Sequence, residues 1–212
     1  MSQSVWRIFV TVAVALAAAG TAPAAIISVL TPDSSQATVT WSSSEVSGYV
    51  EIDLLKDFLT ADMIENPILL QVKLELSDLG KEIRLVHSGG GEQVDNHTGV
   101  TWDKYHLILL NVPIFLPQYC GATLIDPASI SSTVFLNKTV GTVQDGQQVT
   151  FTNGSQPSGS SQWISAVKIA TSAQYASAGD IFYIKQIPVP EPAALLVLAL
   201  GGVGMLIRRR RT

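Results

Sequence analysis

The residues with the most chemical capacity in this chain are its three histidines. His87, His97 and His106 are interspersed with Glu92, Asp95 and Asp103. Imidazole and carboxylate are ordinary zinc ligands, but zinc sites carry recognisable ligand spacings, and this spacing matches none of them. The plain alternative is a set of strand-end and turn residues in solvent, and no metal ligand is assigned. Calcium takes hard oxygen donors, which an acidic chain can spare, yet no Asp-x-Asp-x-Asp-Gly loop is present. Calcium is the only candidate cofactor, and none is expected. Serine is abundant without a Gly-x-Ser-x-Gly elbow. Residues 88–91, Ser-Gly-Gly-Gly, lack the lysine of a phosphate-binding loop. Cys120 is the single cysteine, in an apolar stretch. A buried inert thiol is the expectation there, since a reactive one needs an activating neighbour. Paired carboxylates for glycoside hydrolysis are defined by a separation in space that sequence does not give. No catalytic residue is therefore assigned. Trp41, Trp102 and Trp163 could form a stacking platform for sugars if exposed; the alternative is core tryptophan.

The chain has 212 residues, 13 Lys+Arg and 17 Asp+Glu, a formal charge of −4. Arg7 and Arg208, Arg209, Arg210 and Arg211 lie at the ends. Residues 25–192 keep eight basic and all seventeen acidic residues, a charge of 8 − 17 = −9. Nucleic-acid binding rests on phosphate neutralisation by Lys and Arg, and this segment has no footprint for it. The segment is long enough for one domain with a real core. With one cysteine it holds no intrachain disulfide.

The elements that must position these residues read as strands. Short runs rich in β-branched and aromatic residues alternate with Ser, Gly, Asn and Asp. Period-two alternation predicts strands over 36–41, 48–55, 68–76 and 82–87, then 102–112 and 132–136, then 147–152, 163–170 and 180–187. Residues 56–65 read as a short helix or a loop. Residues 88–91 and 153–161 read as flexible turns. The Asn-x-Ser/Thr sites at Asn96, Asn137 and Asn153 agree with exposed turns. So many short strands predict an all-β fold, an antiparallel β-sandwich of jelly-roll type.

Both ends read as addresses. Residues 1–7 carry one basic residue, residues 8–19 are apolar apart from Thr11, and Ala22-Pro23-Ala24 supplies small residues. This is the pattern of a secretory signal peptide over 1–24, cut by signal peptidase after Ala24, with Ala19 or Ala25 as alternatives. At the other end, Val189-Pro190-Glu191-Pro192 precedes an uncharged apolar run over 193–207 and four arginines. That run spans about 22 Å as a helix, short of the core of about 30 Å. Arginine stems can snorkel, and a terminal arginine cluster stays cytoplasmic. A C-terminal transmembrane helix is expected. The prolines fix an extended backbone just before it, predicting a stiff, exposed segment.

This tail resembles a PEP-CTERM sorting signal. The resemblance implies export from a Gram-negative, polysaccharide-producing host, transient anchoring in the inner membrane, cleavage by exosortase near Pro190-Glu191-Pro192, and transfer to the cell surface or extracellular matrix. Together the two ends predict the division 1–24 signal peptide, 25–187 exported domain and 188–212 sorting segment. Residues 96–106, Asn-His-Thr-Gly-Val-Thr-Trp-Asp-Lys-Tyr-His, are similar to a segment recurring in β-rich members of the group. That likeness implies a turn at Asn96 and Gly99, with Trp102 and Tyr105 in the sandwich. The expected function is that of a non-catalytic surface or matrix protein associated with exopolysaccharide. The competing readings are a carbohydrate-binding module and, behind it, a secreted hydrolase.

Overall fold

Alternation of apolar and polar side chains turns one face of each strand inward, and two sheets bury those faces against each other. The computed structural model describes residues 25–30, 36–46, 48–60, 67–88 and 90–191. The strands are β1 Ile26–Val29, β2 Ala37–Val46, β3 Tyr49–Phe58, β4 Ile68–Lys73, β5 Glu82–Val86, β6 Glu92–Asn96 and β7 Trp102–Asn111. They continue with β8 Thr123–Leu124, β9 Ser131–Ser132, β10 Asn137–Val143, β11 Gly146–Thr152, β12 Ser160–Ser165, β13 Val167–Ala170 and β14 Ile181–Pro190. The described residues contain one 3-10 turn, Leu76–Asp78, and none of their helices is long and apolar enough to cross a membrane. The expected signal helix over 1–24, with Ala22 and Ala24, and the expected transmembrane helix with Arg208 to Arg211 lie outside the described residues.

One sheet has the order β1-β4-β14-β7-β11-β10, every pair antiparallel. The second is mixed, which corrects the expectation of antiparallel pairing throughout. β5 and β6 lie one after the other alongside β3, and both run parallel to it. The reason is topological: β4 sits in the first sheet, between β3 and β5 in sequence, so the chain returns to the second sheet in the direction it left. β12 and β13 continue outward, with β9 and β8 at the margin, and β2 pairs with β3. Inward residues of both sheets form one cluster, including Val50, Ile52, Leu54 and Phe58 from β3 and Leu107, Leu109, Phe182 and Ile184 from β7 and β14.

Several element boundaries differ from the sequence reading: the strand expected over 36–41 runs to Val46, that over 68–76 stops at Lys73 ahead of the 3-10 turn, and that over 132–136 shrinks to Ser131–Ser132. The strand predicted to stop at residue 55 continues to Phe58, and Lys56, Asp57 and Phe58 keep the alternation. Residues 163–170 split into two strands at Ala166, whose φ of 61° bends the chain. The domain boundary expected after residue 187 falls inside β14, which runs to Pro190.

Candidate functional site

The junction between domain and tail is built into a sheet. Val189 pairs with Lys104 and Pro190 with Trp102, across a register shift that leaves Asp103 as the extra residue of β7. The Glu191 N–H donates to the Thr101 carbonyl at 2.9 Å, and the Ser155 hydroxyl donates to Glu191 Oε1 at 3.2 Å. N–H directions alternate along a strand. Glu191 donates toward β7, so the ring nitrogens of Pro190 and Pro188 face the opposite side. Pairing with β4 has already ended there, at Gln186 with Ile68. This is the one orientation in which a strand tolerates proline, because no ladder bond is lost. Pro190 is buried and Glu191 half-buried. The expectation of a freely exposed stretch is corrected for Val189, Pro190 and Glu191; Pro192 lies outside the described residues.

The Asn96–Tyr105 segment forms the turn beside this junction. Asn96 Nδ2 donates to the carbonyls of Val100 and Gln156 at 2.9 and 2.8 Å. Its Oδ1 accepts from the Thr98 N–H and hydroxyl at 3.1 and 2.7 Å. Gly99 takes φ 79°, open to glycine at little cost. Trp102 donates from Nε1 to Thr98 Oγ1 at 3.3 Å. Its ring meets Phe58 edge-on at 5.3 Å. Asn96 is fully buried and Trp102 is 1% exposed. Asn96 is therefore not an exposed acceptor site, and Trp102 is withdrawn as a stacking platform. The aromatic ring is what closes this end of the core.

Trp41 is half-buried and packs against the core. Trp163 is also half-buried, stacked on His87 with centroids 5.8 Å apart and planes 28° apart. His87 Nδ1 lies 2.6 Å from Asp53 Oδ1. The three histidines have separate partners. His97 is bonded to Asp57 at 2.6 Å, which raises its pKa. His106 lies 3.0 Å from the Thr150 hydroxyl and the Gln148 amide, and burial lowers its pKa, with Lys104 adding to the effect. Among the described residues no three His, Cys, Asp or Glu side chains form a metal-binding group. Burial pushes the Cys120 thiol up to about 11, and its Sγ lies 3.6 Å from the Ile181 carbonyl.

A second polar constellation lies inside the sandwich, and the sequence reading missed it. Lys56 of β3 ion-pairs with Glu92 Oε2 of β6, both wholly buried. Gln186 of β14 donates from Nε2 to Glu92 Oε1 at 2.8 Å and Oε2 at 3.0 Å. The Tyr105 hydroxyl of β7 donates to Gln186 Oε1. All four residues are 0% exposed. Burial draws the Lys56 pKa down against the attraction of Glu92. It drives the Tyr105 phenol well above its usual value, helped by Glu92. Gly91 holds β6 close to β12, since a Cβ there would meet the Ile164 carbonyl at 2.1 Å. The overlooked signal was phase. Lys56 shares the inward register of Val50, Ile52, Leu54 and Phe58, and Gln186 shares that of Phe182 and Ile184.

Residues 188–211 match the family model of the PEP-CTERM protein-sorting motif. The chain thus carries a PEP-CTERM sorting signal, and that motif indicates sorting by exosortase to the cell surface. No curated protein and no solved structure matches the chain.

Proposed function

We propose that the β domain is a non-catalytic surface module. It is carried to the inner membrane by the sorting segment, released by exosortase near Pro190-Glu191-Pro192 and retained outside the cell by association with exopolysaccharide. The observation that carries this reading is the continuity of β14 with the sorting motif: the domain's last strand is the first part of the signal. Signal peptidase at the other end, cutting after Ala24, and a transient anchor over 193–207 complete the route. The test is expression of the full chain in a host with an active exosortase, with Glu191→Ala and Pro190→Ala variants. Intact mass and fractionation should give a shortened extracellular species for the parent and a full-length membrane species for the variants. Identical processing of all three would refute the route.

A second reading, a carbohydrate-binding role, is favoured by one observation. Trp163 presents a half-buried ring backed by His87, with Asp53 beside it. In affinity electrophoresis with host exopolysaccharide, Trp163→Ala should weaken retardation at least about tenfold, about 1.4 kcal/mol. Trp41→Ala serves as the control. An equal loss for both, or none, removes Trp163 from the reading.

A further inference from the structure

The interlayer contains an amine, a carboxylate, a carboxamide and a phenol, all shut off from water. Burying an ion pair costs several kcal/mol per ion in desolvation, and apolar replacements of similar size are often as stable or more so. An ion pair in a sandwich core therefore needs a reason beyond packing. The arrangement supplies one. Glu92 Oε2 is shared: the Lys56 ammonium donates to it, and so does Gln186 Nε2 at 3.0 Å. The carboxamide is fixed the other way round at its carbonyl, where Tyr105 donates to Oε1. A nucleophile and a leaving nitrogen thus share one carboxylate oxygen, and an oxyanion donor holds the other end of the same carboxamide.

We propose that Lys56 and Gln186 join in an intramolecular amide cross-link between the two sheets, with Glu92 moving the protons and Tyr105 holding the carbonyl oxygen. Exclusion of water favours the neutral forms of a buried pair, so the Lys56 ammonium passes one proton to Glu92 and becomes a nucleophilic amine. Nζ attacks Cδ of Gln186, and the carbonyl electrons move to Oε1 against the Tyr105 O–H. Burial keeps that phenol protonated, as an oxyanion donor must be. Glu92 delivers its proton to Nε2 and takes the surplus proton from Nζ. The Cδ–Nε2 bond breaks, the carbonyl reforms and ammonia departs, collecting the last proton from Glu92. Atoms and charge balance with no outside reagent. The gain comes from holding the reactants together, the same effect that gives intramolecular reactions large effective molarities.

The cross-link ties β3 of one sheet to β14 of the other, in a chain whose single cysteine rules out an internal disulfide. The test is mass analysis of the purified full chain under denaturing conditions, its ends fixed by peptide mapping. The expected result is a mass one ammonia below the sequence, with a branched peptide joining the Lys56 and Gln186 segments. An unchanged mass with two linear peptides overturns the proposal. Loss of one water, with a branch between Lys56 and Glu92, also overturns it, because Glu92 would then be the electrophile. Glu92→Gln keeps the shape and removes the proton carrier, and its mass should equal its sequence; a branched Glu92→Gln chain overturns the role of Glu92. Should that variant not fold, Tyr105→Phe retains the ring contacts with Phe58 and Trp102. It should slow the appearance of the branched species about 10²–10³-fold, and an unchanged rate removes Tyr105 from the scheme.

Discussion

The interlayer has two halves of different character, and β14 passes through both. At its start the inward side chains are Phe182 and Ile184, with Leu109 beside Ile184 on β7, all within the apolar core. Toward its end they are Gln186, Pro188 and Pro190, beside Tyr105 and Trp102 and opposite Lys56 and Glu92. The first half is held by shape, and changes in it cost in proportion to the cavity left. The second is held by direction, because its polar atoms depend on one another as named partners. A shape-held core accepts substitution gradually; a partner-held core fails as a unit.

The largest test of this contrast is Glu92→Ala. It leaves the Lys56 amine uncompensated and the Gln186 amide unpaired, and should lower stability by about 3–5 kcal/mol in urea unfolding. A cost under about 1.5 kcal/mol would make the polar half no different from the apolar one. On the other side, Ile184→Val removes one methylene from the shape-held half and should cost about 0.5–1.5 kcal/mol by the same measurement. A loss rivalling that of Glu92→Ala would erase the distinction.

The smallest effect concerns pH and lies outside the interlayer. Burial lowers His106 below its ordinary 6.5, so the folded state binds fewer protons than the unfolded one. Its contribution is therefore lost as pH falls below 6.5. His97 runs the other way. Asp57 raises it, so its contribution is complete below 6.5 and fades as pH climbs through the raised value. His106→Gln should flatten the acid-side decline of the urea midpoint, and His97→Gln should steepen it. Parallel shifts in the two variants would contradict both assignments.

What the sequence disclosed follows from the same physics. Strands β4, β5, β7, β11 and β14 were legible because they are short runs rich in β-branched, aromatic and other apolar residues, with period-two alternation over part of their length. β3 was cut short because a lysine in the apolar phase looks like the end of a strand. β6 was missed because Glu92 and Asn96 occupy inward positions that normally announce solvent. The parallel pairing of β3 with β5 and β6 left no local trace, since alternation reports a face and says nothing of a neighbour. The site divides similarly. The sorting tail is contiguous and was readable as a string. The Lys56–Glu92–Gln186–Tyr105 constellation draws on four strands of two sheets and becomes a group only when the chain is folded. The extended backbone at Pro190 was legible, but the segment was read as exposed because proline donates no ladder bond; at an unpaired flank it joins a sheet without losing one.

The run of β14 into Pro190 also sets the length of the leash. Only Glu191 and Pro192 separate the last paired residue from the apolar run that starts at Ala193. Two residues of extended chain reach about 7 Å, less than the width of a helix with its side chains. On the proposed route, with residues 193–207 as the anchor, the uncut domain would have no stalk, and the end bearing Trp102, Thr101 and Ser155 would sit at the doorstep of the bilayer. A protease working at Glu191 has to enter beneath the domain or first lift the end of β14 off β7. The strand that completes the sheet would then also set the pace of release.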